Sequence, residues 1–569
     1  MAVRSAEGET QVAREIKEAV ECFLAEFPQS VLLEGGEVLF DFGEAKHTVE
    51  CSQGKVVLHV WSDRRNQVRR IVFAARRPGV LRLKAQRFGQ KEPQSLEIVN
   101  EHGRRPAATR NDAREGYRRL LERVLTRQFP ESPARDLRAT VDLEHSFGPA
   151  YVRGLQVQGQ RAWAVIGVSA TESLATIDGI LTIGILWLAR CRERAGGRRV
   201  VEGLRLVLPQ GSAATTLARM AWLDRRIALY ELYELDERAE TLCAKDERDR
   251  GNVATRLVRA PNETAAAEPG GRFAHAIPRV LALLPDRSQT QVEMLSAAHS
   301  RERLLPTPGD GFEMRLRSSA ELAFLRHGLE FARIRAGFQG ESFNRELEVS
   351  IGAGPEETVL TEENADAMRA MVHELFTRRS VTAEVRGRSS HEVSDSSDPL
   401  FRLQPERWLE SLLRSDVTAL DAQMQRSPVY VQVPAIAGAS DRGMLDLLAV
   451  TTEGRLAVIE VKAEEDLHFA MQGLDYWIRV RDHHLANVDP VTGLGDLQQH
   501  GYFPEERLPA EPPVLYLVAP ALRIHPATET ILRHMDSRVQ WTLIALDERW
   551  RTRIRPVWRR RSMAMREAR

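Results

Sequence analysis

The chain has 569 residues, of which 43% are hydrophobic and 28% charged, proportions of a folded globular protein with room for three or four domains. Its 80 basic and 80 acidic residues cancel, which excludes a polycation and confines any nucleic-acid affinity to local patches. Four cysteines lack metal-ligand and disulfide spacing, the N-terminus lacks an apolar signal core, and the most apolar run, 177–189, is short and contains Asp178; a cytoplasmic protein with no membrane partner is expected.

Residues 1–110 open with apolar residues at helical spacing over 12–27 and continue with β segments at 37–42, 55–61 and 68–74. This predicts a small α+β module for interaction or assembly. Its arginines, Arg64-Arg65, Arg69-Arg70, Arg76-Arg77, Arg82 and Arg87, read as solvated surface. In the block 111–245 a helix over 114–127 precedes the strand Ala164-Val165-Ile166-Gly167-Val168-Ser169-Ala170, a helix, a strand at 203–208, another helix and a strand at 227–235. Glu144 and His145 read there as a loop ion pair. Residues 246–273 form a polar linker, 274–386 a second α+β module with helices expected at 319–326 and 361–377, and 387–398 a Ser/Asp-rich linker.

The chemistry-bearing stretch lies in 399–569. Gly443-Met444-Leu445-Asp446-Leu447-Leu448-Ala449-Val450 and Gly454-Arg455-Leu456-Ala457-Val458-Ile459-Glu460-Val461-Lys462 read as two strands with charges inside apolar runs. Such charges are costly unless they are paired or hold an ion. A three-residue loop Thr452-Glu453-Gly454 with Gly454 left-handed makes Thr451 face Arg455, and counting back sets Asp446 opposite Glu460. Alternation then puts Asp446, Glu460 and Lys462 on one face. A two-residue loop would separate them. Two hard carboxylates beside one ammonium suit a magnesium or manganese ion and phosphodiester hydrolysis. Only seven of the 80 basic residues are lysines, and Lys462 is the last of them, so a lysine here is chosen against the habit of the chain.

Asp446 followed by Glu460-Val461-Lys462 resembles the PD-(D/E)xK nuclease superfamily. With Gln472-Gly473-Leu474-Asp475-Tyr476-Trp477 downstream, the pattern is similar to its NucS-type and RecB-type branches over roughly 399–555, although Leu445 stands where a proline is common. The resemblance implies a restriction-endonuclease-like α/β/α domain with a mixed sheet. It implies that Asp446, Glu460 and the Val461 carbonyl hold Mg2+ (or Mn2+), and that Lys462 activates water or stabilises charge. Gln472 and Tyr476 would position phosphate or lysine, and Glu410, with Glu406 as second match on the preceding helix, would support a second metal or a water. His468, His483 and His484 read as surface residues.

The block 111–245 repeats this order of elements. Aligning Ala164–Ala170 with Ala457–Ala463 sets Gly167 at the place of Glu460 and Ser169 at that of Lys462, a degenerate nuclease-like copy. The expected fold is α/β multidomain, and the expected activity is that of a metal-dependent nuclease acting on DNA in repair or defence. A non-catalytic nucleic-acid-binding or scaffold protein and an RNA-cleaving nuclease stay open. A homodimer is open as well; the chain lacks Gly-X-X-X-X-Gly-Lys-Ser/Thr, so strand separation would need a helicase partner. The arginines from Arg549 to Arg561 are a candidate phosphate-tracking surface, with Arg551, Arg553 and Arg555 expected along one strand face.

Overall fold

The computed structural model describes residues 2–562 apart from 29, 35–36, 43–44, 53–54, 62–65, 78, 87–92, 101–106, 143–144, 198, 247–254, 261–270, 286–310, 339–344, 353–356, 381–397, 438–440 and 486–487. The linker 387–398, Arg64, Arg65, Arg87 and Glu144 therefore lie partly or wholly outside the described residues. The chain is an α/β protein of several modules, with two antiparallel and two mixed sheets among the described residues.

In the N-terminal module the helix Ala2–Glu26 lays Val20, Phe23 and Leu24 on a seven-stranded antiparallel sheet whose inner face carries Ile71, Leu83 and Leu96. Several of its arginines are paired: Arg69 is buried 3.9 Å from Glu34, Arg82 sits 2.9 Å from Glu97, and Arg76 meets Glu26. Arg70, between them, is exposed.

The two mixed sheets share one pairing pattern. In the first, Thr241–Lys245, Leu229–Asp236, Val200–Pro209, Arg161–Val168, Tyr151–Gln158 and Ala134–Arg138 lie side by side, joined antiparallel, parallel, parallel, antiparallel and antiparallel. In the second, Pro556–Arg561, Trp541–Leu546, Val514–Pro520, Leu456–Val461, Asp441–Val450 and Tyr430–Ala437 repeat that sequence of pairings. Part of the expected linker extends this sheet: Thr255–Leu257 pairs with Tyr430–Ala437 as its outermost strand.

The residue correspondence between the copies differs by one from the sequence alignment. Gly184 packs on Leu204 and Leu206 as Gly473 packs on Leu515 and Leu517, and Pro209 and Pro520 end the equivalent strands. Ala164, Ile166 and Val168 then share a core with the helix Ile180–Ala195, as Leu456 and Val458 do with the helix Phe469–Leu485. Ile166 and Val168, not Gly167 and Ser169, occupy the places of Glu460 and Lys462. Arg153, which pairs with Ile166, occupies that of Asp446. The loops differ, with Gln158 facing Arg161 across two residues where Thr451 faces Arg455 across three, so identity of letters misled. Arg153 is 1% exposed and donates to the carbonyls of Gly148 (2.8 Å) and Thr140 (2.7 Å). A guanidinium stands where the other copy gathers carboxylates.

The two copies share a continuous core and pair reciprocally. The Asp224 amide donates to the His534 carbonyl at 2.8 Å, and the Asp536 amide to the Trp222 carbonyl at 2.8 Å. Trp222 and Trp477 meet edge to face at 4.7 Å, and Arg219 grips Asp475 through two bonds of 2.7 and 2.6 Å.

The third module is a five-stranded antiparallel sheet with the helices Ile277–Leu281 and Ala365–Arg378. The segment expected to be helical at 319–326 is instead the strand Glu321–Arg326. Leu322, Ala323, Phe324 and Leu325 are all buried, and burial on both faces removes the alternation that marks a strand. Its hairpin tip, His327-Gly328, abuts the helix Pro405–Ser415: a Cβ on Gly328 (φ +73°) would lie 2.2 Å from the Arg407 carbonyl oxygen, and His327 stacks on Trp408 at 4.6 Å. Arg551 and Thr552 form a turn and the last strand begins only at Pro556, so Arg551, Arg553 and Arg555 share no strand face; Arg551 instead lies over Trp550. Among the described residues no helix is long and apolar enough to cross a membrane.

Candidate active site

The hairpin loop has the expected form. Gly454 takes φ +84°, its amide donates to the Thr451 carbonyl at 2.8 Å, and the Thr451 amide donates to Arg455 at 2.8 Å. From there Val450 pairs with Leu456, Ala449 with Ala457, Leu448 with Val458 and Leu447 with Ile459. The ladder stops at this point. Asp446 and Glu460, next in register, turn their side chains to other work: Asp446 Oδ2 accepts the Val461 amide at 2.9 Å, and Glu460 Oε1 accepts from Lys462 Nζ at 3.1 Å.

Further elements complete the cluster. The helix Pro405–Ser415 starts at Pro405 after a left-handed Gln404 and buries Trp408, Leu409 and Leu413 on one stripe. Glu410 is only 2% exposed on that helix, more deeply buried than a helix-surface residue would be. Its Oε2 accepts from Gln432 Nε2 at 2.8 Å and from Arg407 at 3.3 Å, while the same Gln432 nitrogen lies 3.5 Å from Asp446 Oδ1. Glu406, one turn earlier, acts electrostatically on Lys462 and accepts from the Ala463 amide.

The helix Phe469–Leu485 brings the third side. Tyr476 stands close enough to be held protonated, by burial first and then by Glu460 and Asp446. Gln472, one turn away, has a buried Oε1 with no partner among the described residues. The histidines are elsewhere and are not surface residues. His483 (2.6 Å from Asp496) and His484 (2.8 Å from the Pro509 carbonyl) are buried, and His468 lies 3.1 Å from Thr182 Oγ1. His145 pairs with Asp142 at 2.9 Å.

The electrostatics are those of a site short of positive charge. Burial, then repulsion from Asp446, raises Glu460 far above the carboxylate range, and the same two causes raise Glu410. Burial also raises Asp446 against the pull of the Val461 amide and Lys462. Burial works against the Lys462 ammonium, but Glu460, Glu406 and Asp446 outweigh it and hold the charge. Glu460 Oε2 is buried without a hydrogen bond. Four carboxyls thus gather round one ammonium, with the Arg407 and Arg315 guanidiniums acting on Glu410, and a divalent cation with oxygen preference fits the remaining excess of acid. Among the described residues no three His, Cys, Asp or Glu side chains form a ready ligand set. The donors at hand are Asp446 and Glu460, with backbone and water to complete a shell.

Sequence reasoning missed Gln432 and Arg407. Gln432 carries a signal in retrospect, a polar residue between Val431 and Val433, and it adopts φ +53°, a strained conformation for a residue with a Cβ. Arg407 carries one as well, standing three residues before Glu410 on the same helix. Scans of the chain against protein-family models, curated proteins and solved structures find no match.

Proposed function

We propose that the chain is a metal-dependent nuclease of restriction-endonuclease-like fold that hydrolyses phosphodiester bonds, with DNA as the favoured substrate. The observation that carries this reading is the parting of two strands at Asp446 and Glu460, which leaves two buried carboxylates and Lys462 converging where a regular ladder would have continued. Asp446 and Glu460, with the Val461 carbonyl, would hold Mg2+ or Mn2+. A bound divalent cation supplies Lewis-acid polarisation of a phosphate oxygen and a water that ionises near neutral pH.

The residues of the chain supply the rest. Lys462, kept charged by its carboxylate neighbours, can orient an attacking water or stabilise charge growing on the phosphate oxygens. Gln472, with an unsatisfied oxygen, can accept from that water or from Lys462. Tyr476 stays protonated and can donate to a phosphate oxygen. Glu410 is fixed by Gln432 and Arg407, and so orders the wall behind Asp446. Arg153 and Ile166 deny the other copy the same chemistry, so one centre per chain is expected.

The test is incubation of labelled single-stranded, double-stranded and branched DNA, and of RNA, with the protein and Mg2+ or Mn2+. Metal-dependent cleavage names the substrate; RNA alone being cut would move the reading to a ribonuclease, and intact substrates throughout would leave a binding or scaffold protein.

A further inference from the structure

On the far side of the helix Pro405–Ser415 lies a cleft of about 760 Å³ lined by Arg551, Thr552, Arg553, Arg555 and Asp416. Successive helical residues turn by roughly 100°, so Trp408 and the cleft lie about opposite Glu406 and Glu410. The Arg551 guanidinium stacks on three rings, 4.2 Å from Trp550, 5.1 Å from Phe401 and 5.3 Å from Trp408. Among the described residues it makes no hydrogen bond or ion pair, and its Nε is buried without a partner. A second guanidinium, Arg379, covers Trp408 at 4.6 Å and spends its donors on four backbone carbonyls. The single acid of the lining, Asp416, accepts from Thr418. Three arginines and one carboxylate therefore line the cleft, with Asp547 beyond the lining acting on Arg555, and burial, with no acid opposing it, pulls Arg551 below the usual arginine range.

We infer that this cleft is an anion site for a phosphate group, with Arg551 held between the rings as its fork and Arg553 and Arg555 exposed beside it. A planar guanidinium held by its faces and buried at Nε can offer only its terminal N–H groups, a pair that takes phosphate bidentately. The site stands apart from the nuclease reading, since it neighbours neither Asp446 nor Lys462. Its phosphate belongs either to a polynucleotide backbone passing outside the catalytic centre or to a small phosphorylated molecule.

The experiment is calorimetric titration of the full chain with inorganic phosphate, beside anisotropy of a labelled single-stranded oligonucleotide in EDTA. Wild type, Arg551→Met and the exposed pair Arg553→Gln/Arg555→Gln are compared. Charged hydrogen bonds of this kind predict phosphate affinity about tenfold lower or less in Arg551→Met, and a loss of several-fold in the double variant, which disturbs no core. Oligonucleotide affinity falling in step, with phosphate competing, assigns the site to polynucleotide. Oligonucleotide affinity unchanged while phosphate is lost assigns it to a small ligand. Phosphate affinity equal in wild type and in the double variant, or phosphate bound by none of the three, overturns the site.

Discussion

Asp446 Oδ2 takes the backbone amide of Val461 at 2.9 Å, the position where its own strand should have paired with the lysine strand. That single bond converts the end of a β-ladder into a site: it anchors one carboxylate, frees the Glu460 side chain from a paired neighbour and keeps Lys462 on the same face. The price is a pair of buried acids that share a hydrogen bond, with Asp446 repelling charge on Glu460.

The cluster should cost stability when no cation is present. Glu460→Gln removes a buried carboxyl that has one oxygen unpartnered, and should raise the metal-free melting temperature, with a gain of order 1 kcal/mol. Thermal melts in EDTA and in excess Mn2+ check this. Mn2+ should stabilise wild type and leave Glu460→Gln unmoved, and a destabilised metal-free variant would show that the cluster is already compensated.

The grip of Arg219 on Asp475 joins the first copy to the helix bearing Gln472 and Tyr476, and both groups are largely buried. Arg219→Met should destabilise by about 2–4 kcal/mol, because Asp475 is left without its counter-charge. A cycle with Asp475→Asn should return coupling of about 1–3 kcal/mol. Additive losses would mean that the pair contributes only packing.

How much of this was legible depended on how local the signal was. The hairpin could be derived because Gly454 fixes its own loop, and the loop fixes the facing of Asp446, Glu460 and Lys462. Glu410 was legible as a candidate, and Arg407 follows from helical spacing, but the burial was not legible, since Gln432 reaches Glu410 from a strand 22 residues away with no spacing rule between them. The first copy was recognised by the order of its elements, yet its register slipped by one residue because matching letters were aligned across hairpin loops of two and three residues. Likewise, 319–326 hid its strand by burying both faces, and the arginine alternation at 551–555 came from a turn clamped onto Trp550.

Acid should loosen the joint between the copies. His534 sits 2.5 Å from the Tyr230 hydroxyl, and burial, reinforced by Arg192 and opposed by Asp224, pushes its imidazole down to about 4. A free histidine titrates near ~6.5, so the unfolded chain binds the proton first as the pH falls, and stability declines from about pH 6.5 until about pH 4. Urea midpoints at about pH 7.5 and about pH 5 should fall less in His534→Gln than in wild type. Equal declines would place the pH sensitivity elsewhere.

The two helix glycines should separate stability from activity. A Cβ at Gly473 would lie 2.5 Å from a Leu517 methyl, and one at Gly184 would lie 2.9 Å from a Leu204 methyl, so each alanine should overpack its half by about 1–3 kcal/mol. Gly473→Ala also displaces the helix carrying Gln472 and should lower turnover. Gly184→Ala, remote from the carboxylates, should lower stability with turnover kept. Equal effects on turnover would mean that the copies are mechanically inseparable.

The most direct measurement is cleavage of labelled DNA in Mg2+ or Mn2+ by wild type, Lys462→Ala and Asp446→Ala, each checked for fold. The account predicts metal-dependent cleavage by wild type, abolished in both variants because each removes a member of the convergent set. Cleavage that survives both substitutions, or a wild type that leaves DNA and RNA intact, would contradict it.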